Sequence, residues 1–278
     1  MEREEIRKQW ESAAPGWAKW ERTFANWMSP ATEAMLEMAG VVSGAHVLDI
    51  ASGAGSQTLI AAQLVGSHGH VVATDISEMM LHYVHENARA AKLDHISTLV
   101  SAAEDLDVSA ESFDAAICRL GLMLFADPSK ALAAAKRALK PGGKIAVVVF
   151  STPEANPFMA KPMQVLLRHA KKEPPAPGQP GIFALGGAGV LKRLFTTSGF
   201  TDWEQRTFNA PFRMPSAMYA LNILREAAGA YRAVISDCSE AVQTAAWAEV
   251  AEALESFETE EGFQAPAEIL VAASHKPV

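Results

Sequence analysis

The sequence predicts an α/β fold built on a doubly wound, mostly parallel sheet, with antiparallel strands at one edge and helical insertions late in the chain. Three observations predict it. Between residues 40 and 150, short apolar runs alternate with segments of helical spacing, the pattern of a parallel sheet covered on both faces. The run Val47-Leu48-Asp49-Ile50 turns through Ala51-Ser52-Gly53-Ala54-Gly55 into a helical segment, a strand–turn–helix unit of the kind that holds nucleotide-like ligands. The next run, Val71 to Thr74, ends in a second acid, Asp75.

Taken in order, residues 1–40 precede the first strand and concentrate Trp10, Trp17, Trp20 and Trp27 at helical spacing. Pro15-Gly16 is expected to break that helix into two hinged segments. An aromatic stripe at this period reads first as packing against a core. Helices are expected over 56–66, 78–91 and 128–139, the first capped by Ser56 or Thr58, the last closed by Pro141-Gly142-Gly143. His82 and His85 sit at helical spacing without a suitably placed third ligand, so they read as a solvated face and no metal is expected.

After Phe150 the pattern changes. A helix is expected from Pro157 to Lys171, then a proline-rich loop from Glu173 to Gly181, then a helix over Val190–Thr197 ending at Gly199. Thr201 to Phe212 reads as one strand, 215–260 as helices and Ala267 to Ala273 as the last strand. The division is therefore 1–40 as N-terminal helices, 41–150 as the ligand-binding core, and 151–278 as completion of the sheet. Insertions are expected near 151–187 and 215–262.

The first loop discriminates between ligands. A dinucleotide fingerprint requires Gly-x-Gly-x-x-Gly, and here Thr58 stands at the third glycine position. That loop also serves to seat a pyrophosphate on a helix N-terminus, which an acid at Asp49 would repel. Asp49 suits a ligand with a cationic amine and sulfonium and no phosphate, and Asp75 can accept hydrogen bonds from both hydroxyls of a ribose. The electrostatics point to S-adenosylmethionine.

Here the sequence resembles the class I S-adenosylmethionine-dependent methyltransferases, within their ubiquinone/menaquinone-biosynthesis-like small-molecule branch. The family loop Asp-x-Gly-x-Gly-x-Gly is matched by Asp49-x-Ala51-x-Gly53-x-Gly55, with Ala51 tolerated if its φ is negative. Ser101 to Leu106 resembles the turn bordering the adenine, Ser112 to Arg119 the fourth strand, and Leu139 to Lys144 the turn into a fifth strand, Ile145 to Phe150. The resemblance spans roughly residues 40 to 150. It implies a seven-stranded Rossmann-like sheet whose last strand is antiparallel, with insertions forming a substrate cap. It also implies a lid role for the N-terminal region around Trp17, beside the packing reading; removing residues 1–28 should then weaken cofactor binding.

On that resemblance Asp49 faces the methionine amine, and Ala51, Ser52 and Gly53 line the methionine moiety. Asp75 holds the ribose, Ile76 and Met79 pack on the adenine, and Ala103 and Glu104 border its edge. Arg119 and Leu120 lie nearest the sulfonium. Many relatives carry an acid or amide at the position of Ala102, and its task passes to Glu104 or to backbone. Candidates for a catalytic group are His169, Tyr219 and Arg119, although Arg119 could equally pair with Glu104 or Asp105. Met159, Met163, Met214 and Met218 with Phe158, Phe183 and Phe212 read either as an apolar acceptor wall or as core.

Composition excludes much. A formal charge of −8 among 278 residues disfavours nucleic acid and anionic membrane surfaces. The segment after strand four, Cys118-Arg119-Leu120-Gly121-Leu122, lacks the Asn/Asp-Pro-Pro-aromatic signature of nucleic-acid and protein methylases. The charged start, Met1 to Glu5, has no signal-like apolar region, so a cytoplasmic protein is expected, with no membrane insertion and a homodimer allowed. Two cysteines without CxxC spacing argue against a disulfide framework. The expected activity is methyl transfer to a small, apolar or aromatic acceptor. The alternatives are a nicotinamide-dependent oxidoreductase and a non-catalytic protein that binds S-adenosylmethionine.

Overall fold

The computed structural model describes residues 3–176 and 178–278. Met1 and Glu2 of the charged start, and Pro177 of the proline-rich loop, lie outside the described residues.

The chain opens with α1 (Arg3–Met38), then β1 (His46–Ile50), α2 (Ser56–Val65), β2 (His70–Asp75), α3 (Glu78–Ala90) and β3 (Ile96–Val100). β4 (Phe113–Arg119), α4 (Pro128–Ala138) and β5 (Leu139–Phe150) complete the parallel part. The sheet has seven strands, and β1 lies between β2 and β4, both parallel to it. Chain order therefore reverses at β1, and the carboxyl ends of β1, β2 and β4 converge at the switch point where open α/β sheets bind ligands. The strands are apolar because helices cover both faces: Val47, Leu48, Ala115, Ala116 and Ile117 have no exposed surface.

The second half adds α5 (Pro157–Ala170), α6 (Val190–Thr197), β6 (Thr201–Asn209) and β7 (Phe212–Met214). It continues with α7 (Ala217–Glu226), α8 (Gly229–Ile235), α9 (Glu240–Glu255), β8 (Glu258–Thr259), β9 (Gly262–Ala265) and β10 (Glu268–His275). β10 inserts antiparallel between β5 and β6, as the sequence predicts for the last strand.

Four local expectations are corrected. α1 does not break at Pro15-Gly16; it runs unbroken past both Pro15 and Pro30. Proline removes one intrahelical hydrogen bond and crowds the preceding turn, but tertiary packing of Trp17, Trp20, Met28 and Met35 against the core holds the helix together. The segment 201–212 is not one strand: it splits near Ala210, and β7 leaves to form a separate three-stranded sheet with β9 and β8. Residues 215–260 are thus not all helical, since β8 falls among them and pairs with β9 beyond. The Pro141-Gly142-Gly143 turn lies within β5 as an irregularity, where Phe113 pairs with Leu139 but Ala115 pairs with Lys144.

No helix among the described residues is long and apolar enough to cross a membrane. Cys118 is buried and unpaired, and Cys238 is also free.

Candidate functional site

β1 delivers Asp49 to the switch point with no exposed surface. Its carboxylate is held from α2: the Thr58 hydroxyl donates to Oδ2 at 2.6 Å, and Gln57 Nε2 donates to Oδ1 at 3.2 Å. Burial pushes the Asp49 carboxyl up to about 7, against the lowering effect of these hydrogen bonds and of Arg119. Thr58, which replaces the third glycine, thus anchors the acid.

The loop after β1 is tight. Ala51 has φ +55°, so the expected negative φ is corrected: this non-glycine residue sits in the left-handed region. The backbone after it is pinned to the end of β2, by Ser52 N–H donating to Thr74 O at 2.9 Å and by Gly53 N–H donating to Asp75 Oδ2 at 3.0 Å. Nor is α2 capped by Ser56 or Thr58. Its N-cap is Gly55 at φ +97°, where a Cβ would also press on Val84 at 2.9 Å. The two hydroxyls are used instead for Arg119 and Asp49.

Asp75, at the tip of β2, is 8% exposed, and its Oδ1 accepts the Ser77 N–H at 2.9 Å. Burial raises it to about 6 against these backbone hydrogen bonds. Beside it Ile76 is half-buried and Met79 is 41% exposed. Ser52 is buried, while the place of a Gly53 Cβ has no atom within 4 Å, so room remains beside the loop. Ala103 is buried, and Glu104 accepts the Asp127 N–H at 3.3 Å.

Arg119, at the tip of β4, is not paired with Glu104 or Asp105. Its guanidinium donates to Thr32 Oγ1 at 3.0 Å and to Ser56 Oγ at 2.5 Å. Burial draws it down to about 10, against the opposing pull of Asp49 and Glu21. Leu120 follows at φ +58°, with its N–H donating to Val148 O. Half-buried Leu120, Leu124, Phe125 and Phe183 pack with the core in this region.

Two catalytic candidates are drawn into structural contacts. His169 pairs with Glu249 of α9 at 2.8 Å, and Tyr219 of α7 shares a hydrogen bond with Thr23 at 2.9 Å and meets Trp20 edge-on. Of the proposed wall, Phe158, Phe212 and Met214 are core, and Met218 is 59% exposed. His82 faces Glu86, and His85 pairs with Thr98.

The structure adds what the sequence reading missed. α1 lies over the loops: Glu11 accepts the Glu78 and Met79 N–H groups at the start of α3, at 2.8 and 3.3 Å. Glu21 accepts from Asn87 Nδ2 at 2.9 Å, and Asn87 also donates to Ala54 O. Trp17 packs with Ala54 and Met80, and its indole N–H is buried without a partner. The signal was the stripe 10, 14, 17, 21, which puts Glu21 on the tryptophan face of α1.

These features fit an adenosyl ligand with an amino-acid end. An orphaned donor at Trp17 stands beside the loop, open room lies at Gly53, and the acids at β1 and β2 provide anionic partners.

Comparison with known proteins agrees. Residues 42–181 match the family described as "Methyltransferase domain". The chain is 38% identical over 121 residues to the ubiquinone/menaquinone biosynthesis C-methyltransferase UbiE of Marinomonas sp. (strain MWYL1), covering 43% of this chain and 48% of that protein. The chain thus spans about half the length of the curated relatives it matches. Among solved structures, the YcgJ protein of Bacillus subtilis superposes with a TM-score of 0.60 at 18% identity, covering 90% of this chain and 99% of that one. Phosphoethanolamine N-methyltransferase 2 of Haemonchus contortus, solved with S-adenosyl-L-methionine, gives 0.56 at 20% identity over 90% of this chain and 53% of that one.

Proposed function

The chain belongs to the methyltransferase-domain family, and from that premise we propose that it moves a methyl group from S-adenosylmethionine to a small, apolar or aromatic acceptor. The observation that carries the reading is the pair of acids on adjacent parallel strands. Asp49 and Asp75 bracket a loop that Glu21 of α1 also approaches through Asn87, a setting hostile to a pyrophosphate.

The sulfonium supplies an already activated methyl carbon for in-line displacement. The chain's own residues then bind, orient and exclude water. Asp49 faces the amine, Ala51, Ser52 and Gly53 line the methionine portion, and Asp75 holds the ribose. Ile76 and Met79 flank the adenine face, Ala103 and Glu104 its edge, and α1 closes the site with Trp17. Alignment of this kind supplies about 7–11 kcal/mol of barrier lowering, so a general base is not required for an enzyme here. His169 and Tyr219, tied to Glu249 and Thr23, are assigned to holding helices together rather than to proton transfer. Half-buried Leu120, Leu124 and Phe125, which follow Arg119 in the chain, support an apolar acceptor. A cytoplasmic setting, without nucleic acid as partner, accords with the net charge of −8.

Calorimetric titration with S-adenosylmethionine, S-adenosylhomocysteine and NAD tests the reading. Binding of the two adenosyl compounds is expected. Binding of NAD alone overturns it in favour of an oxidoreductase, and binding of the adenosyl compounds without turnover on an aromatic acceptor panel favours a non-catalytic binder.

A further inference from the structure

With both neighbouring acids ionised, the charges around Arg119 do not balance. Asp49 from β1 and Glu21 from α1 both act on its guanidinium, and among the described residues Arg119 is the foremost cation acting on each acid. Asp49 has no exposed surface and Glu21 is half-buried, so water compensates the excess negative charge poorly. Burial holds the Glu21 carboxyl above its ordinary value, and the Asn87 hydrogen bond, Arg119 and the Ser56 backbone only partly offset that. Two acids sharing one guanidinium leave the place of a second cation. Glu21 reaches, through Asn87, Ala54 O in the loop before α2, whose open side is at Gly53.

Resting on the proposed S-adenosylmethionine reading, we propose that Glu21 is a ligand-discriminating residue, which together with Asp49 receives the ammonium of the ligand's amino-acid end. Its seat on α1 makes recognition of that group depend on closure of the helix. Asn87 holds the carboxylate by bridging it to Ala54 O, and Trp17, one helical turn before it, packs α1 against the cluster that contains Ala54. A ligand with the adenosine but no amino-acid end would leave Glu21 unengaged.

The test is calorimetry on the full chain with S-adenosylhomocysteine and with 5′-methylthioadenosine, which keeps the nucleoside and sulfur but lacks the ammonium and carboxylate. Glu21→Gln retains an acceptor for Asn87 and removes only the charge. It is expected to weaken S-adenosylhomocysteine by about tenfold to a hundredfold, the range for a lost charge-assisted hydrogen bond, and to leave 5′-methylthioadenosine within about twofold. Glu21→Asp should recover part of the loss. Equal weakening of both ligands overturns the proposal in favour of a packing role, and unchanged S-adenosylhomocysteine affinity overturns it outright. If the wild-type chain binds neither ligand, the underlying adenosyl reading fails as well.

Discussion

The Thr58 hydroxyl donates to Asp49 Oδ2 across 2.6 Å, and neither residue is exposed. A threonine where a dinucleotide loop would carry glycine thus orients the acid that a dinucleotide loop would avoid. Asp49 is costly to ionise in the empty site, because burial outweighs its two hydrogen bonds. Asp49→Asn is therefore expected to melt at the wild-type temperature or above it at about pH 8. It should bind S-adenosylhomocysteine at least about tenfold more weakly. Differential scanning calorimetry and titration check the two halves; a less stable variant with normal affinity contradicts both.

Proton linkage follows from the same burial. Asp49 is raised to about 7 and Asp75 to about 6, from a usual 3.8. An acid held above its unfolded value stabilises the fold while protonated, fully so below that unfolded value, and loses the contribution as pH rises through the folded one. The ligand-free chain is expected to lose stability from about pH 4 to about pH 7 through these two groups. A cationic ligand reverses the trend by favouring their charged forms. Its affinity should rise over the same interval, with protons released on binding. Titration in two buffers of different ionisation enthalpy measures the release; proton uptake would contradict it.

The sheet and its ligand edge were legible in the sequence because each depends on local pattern. Apolar runs ending in Asp49 and Asp75, joined by small residues, specify strand, loop and switch point without distant information. What escaped was set by contacts between distant segments. Glu11 and Glu21 acquire their roles only when α1 lies across α2 and α3. Arg119 finds Thr32 and Ser56 rather than the acids nearer in sequence, Glu104 and Asp105. Ala51 adopts a positive φ where hydrogen bonds from Ser52 N–H to Thr74 O and from Gly53 N–H to the Asp75 carboxylate hold the residues after it, a constraint invisible in residue type. The local rule places a break at Pro15, and tertiary packing of α1 overrides it.

At Gly16, α1 packs tightly on the end of α7. A Cβ there would stand 2.0 Å from Glu226 O and 2.4 Å from its carbonyl carbon, and neither backbone atom can rotate away. Gly16→Ala must lift α1 from the end of α7, straining the Trp20–Glu226 and Lys19–Glu226 contacts. The cost is expected at about 1–3 kcal/mol, typical of overpacking. Because α1 also carries Trp17 and Glu21, S-adenosylhomocysteine affinity should fall with stability. Melting temperature and affinity measured together check this; an unchanged melting temperature would mean that the helices separate freely.

Asp75 serves two tasks that separate by substitution. Its carboxylate accepts from Gly53 N–H and Ser77 N–H, so it clamps the loop after β1 to the start of α3 before any ligand arrives. Asp75→Ala leaves two backbone donors without that acceptor, at about 1–3 kcal/mol for each one left buried and unsatisfied. Asp75→Asn keeps one acceptor oxygen and should restore much of the stability. Neither variant presents a carboxylate to the ribose. Both are therefore expected to lose affinity for 5′-methylthioadenosine and S-adenosylhomocysteine alike, unlike Glu21→Gln, which should spare the former. Normal nucleoside affinity in a folded Asp75→Asn chain would confine Asp75 to the clamp.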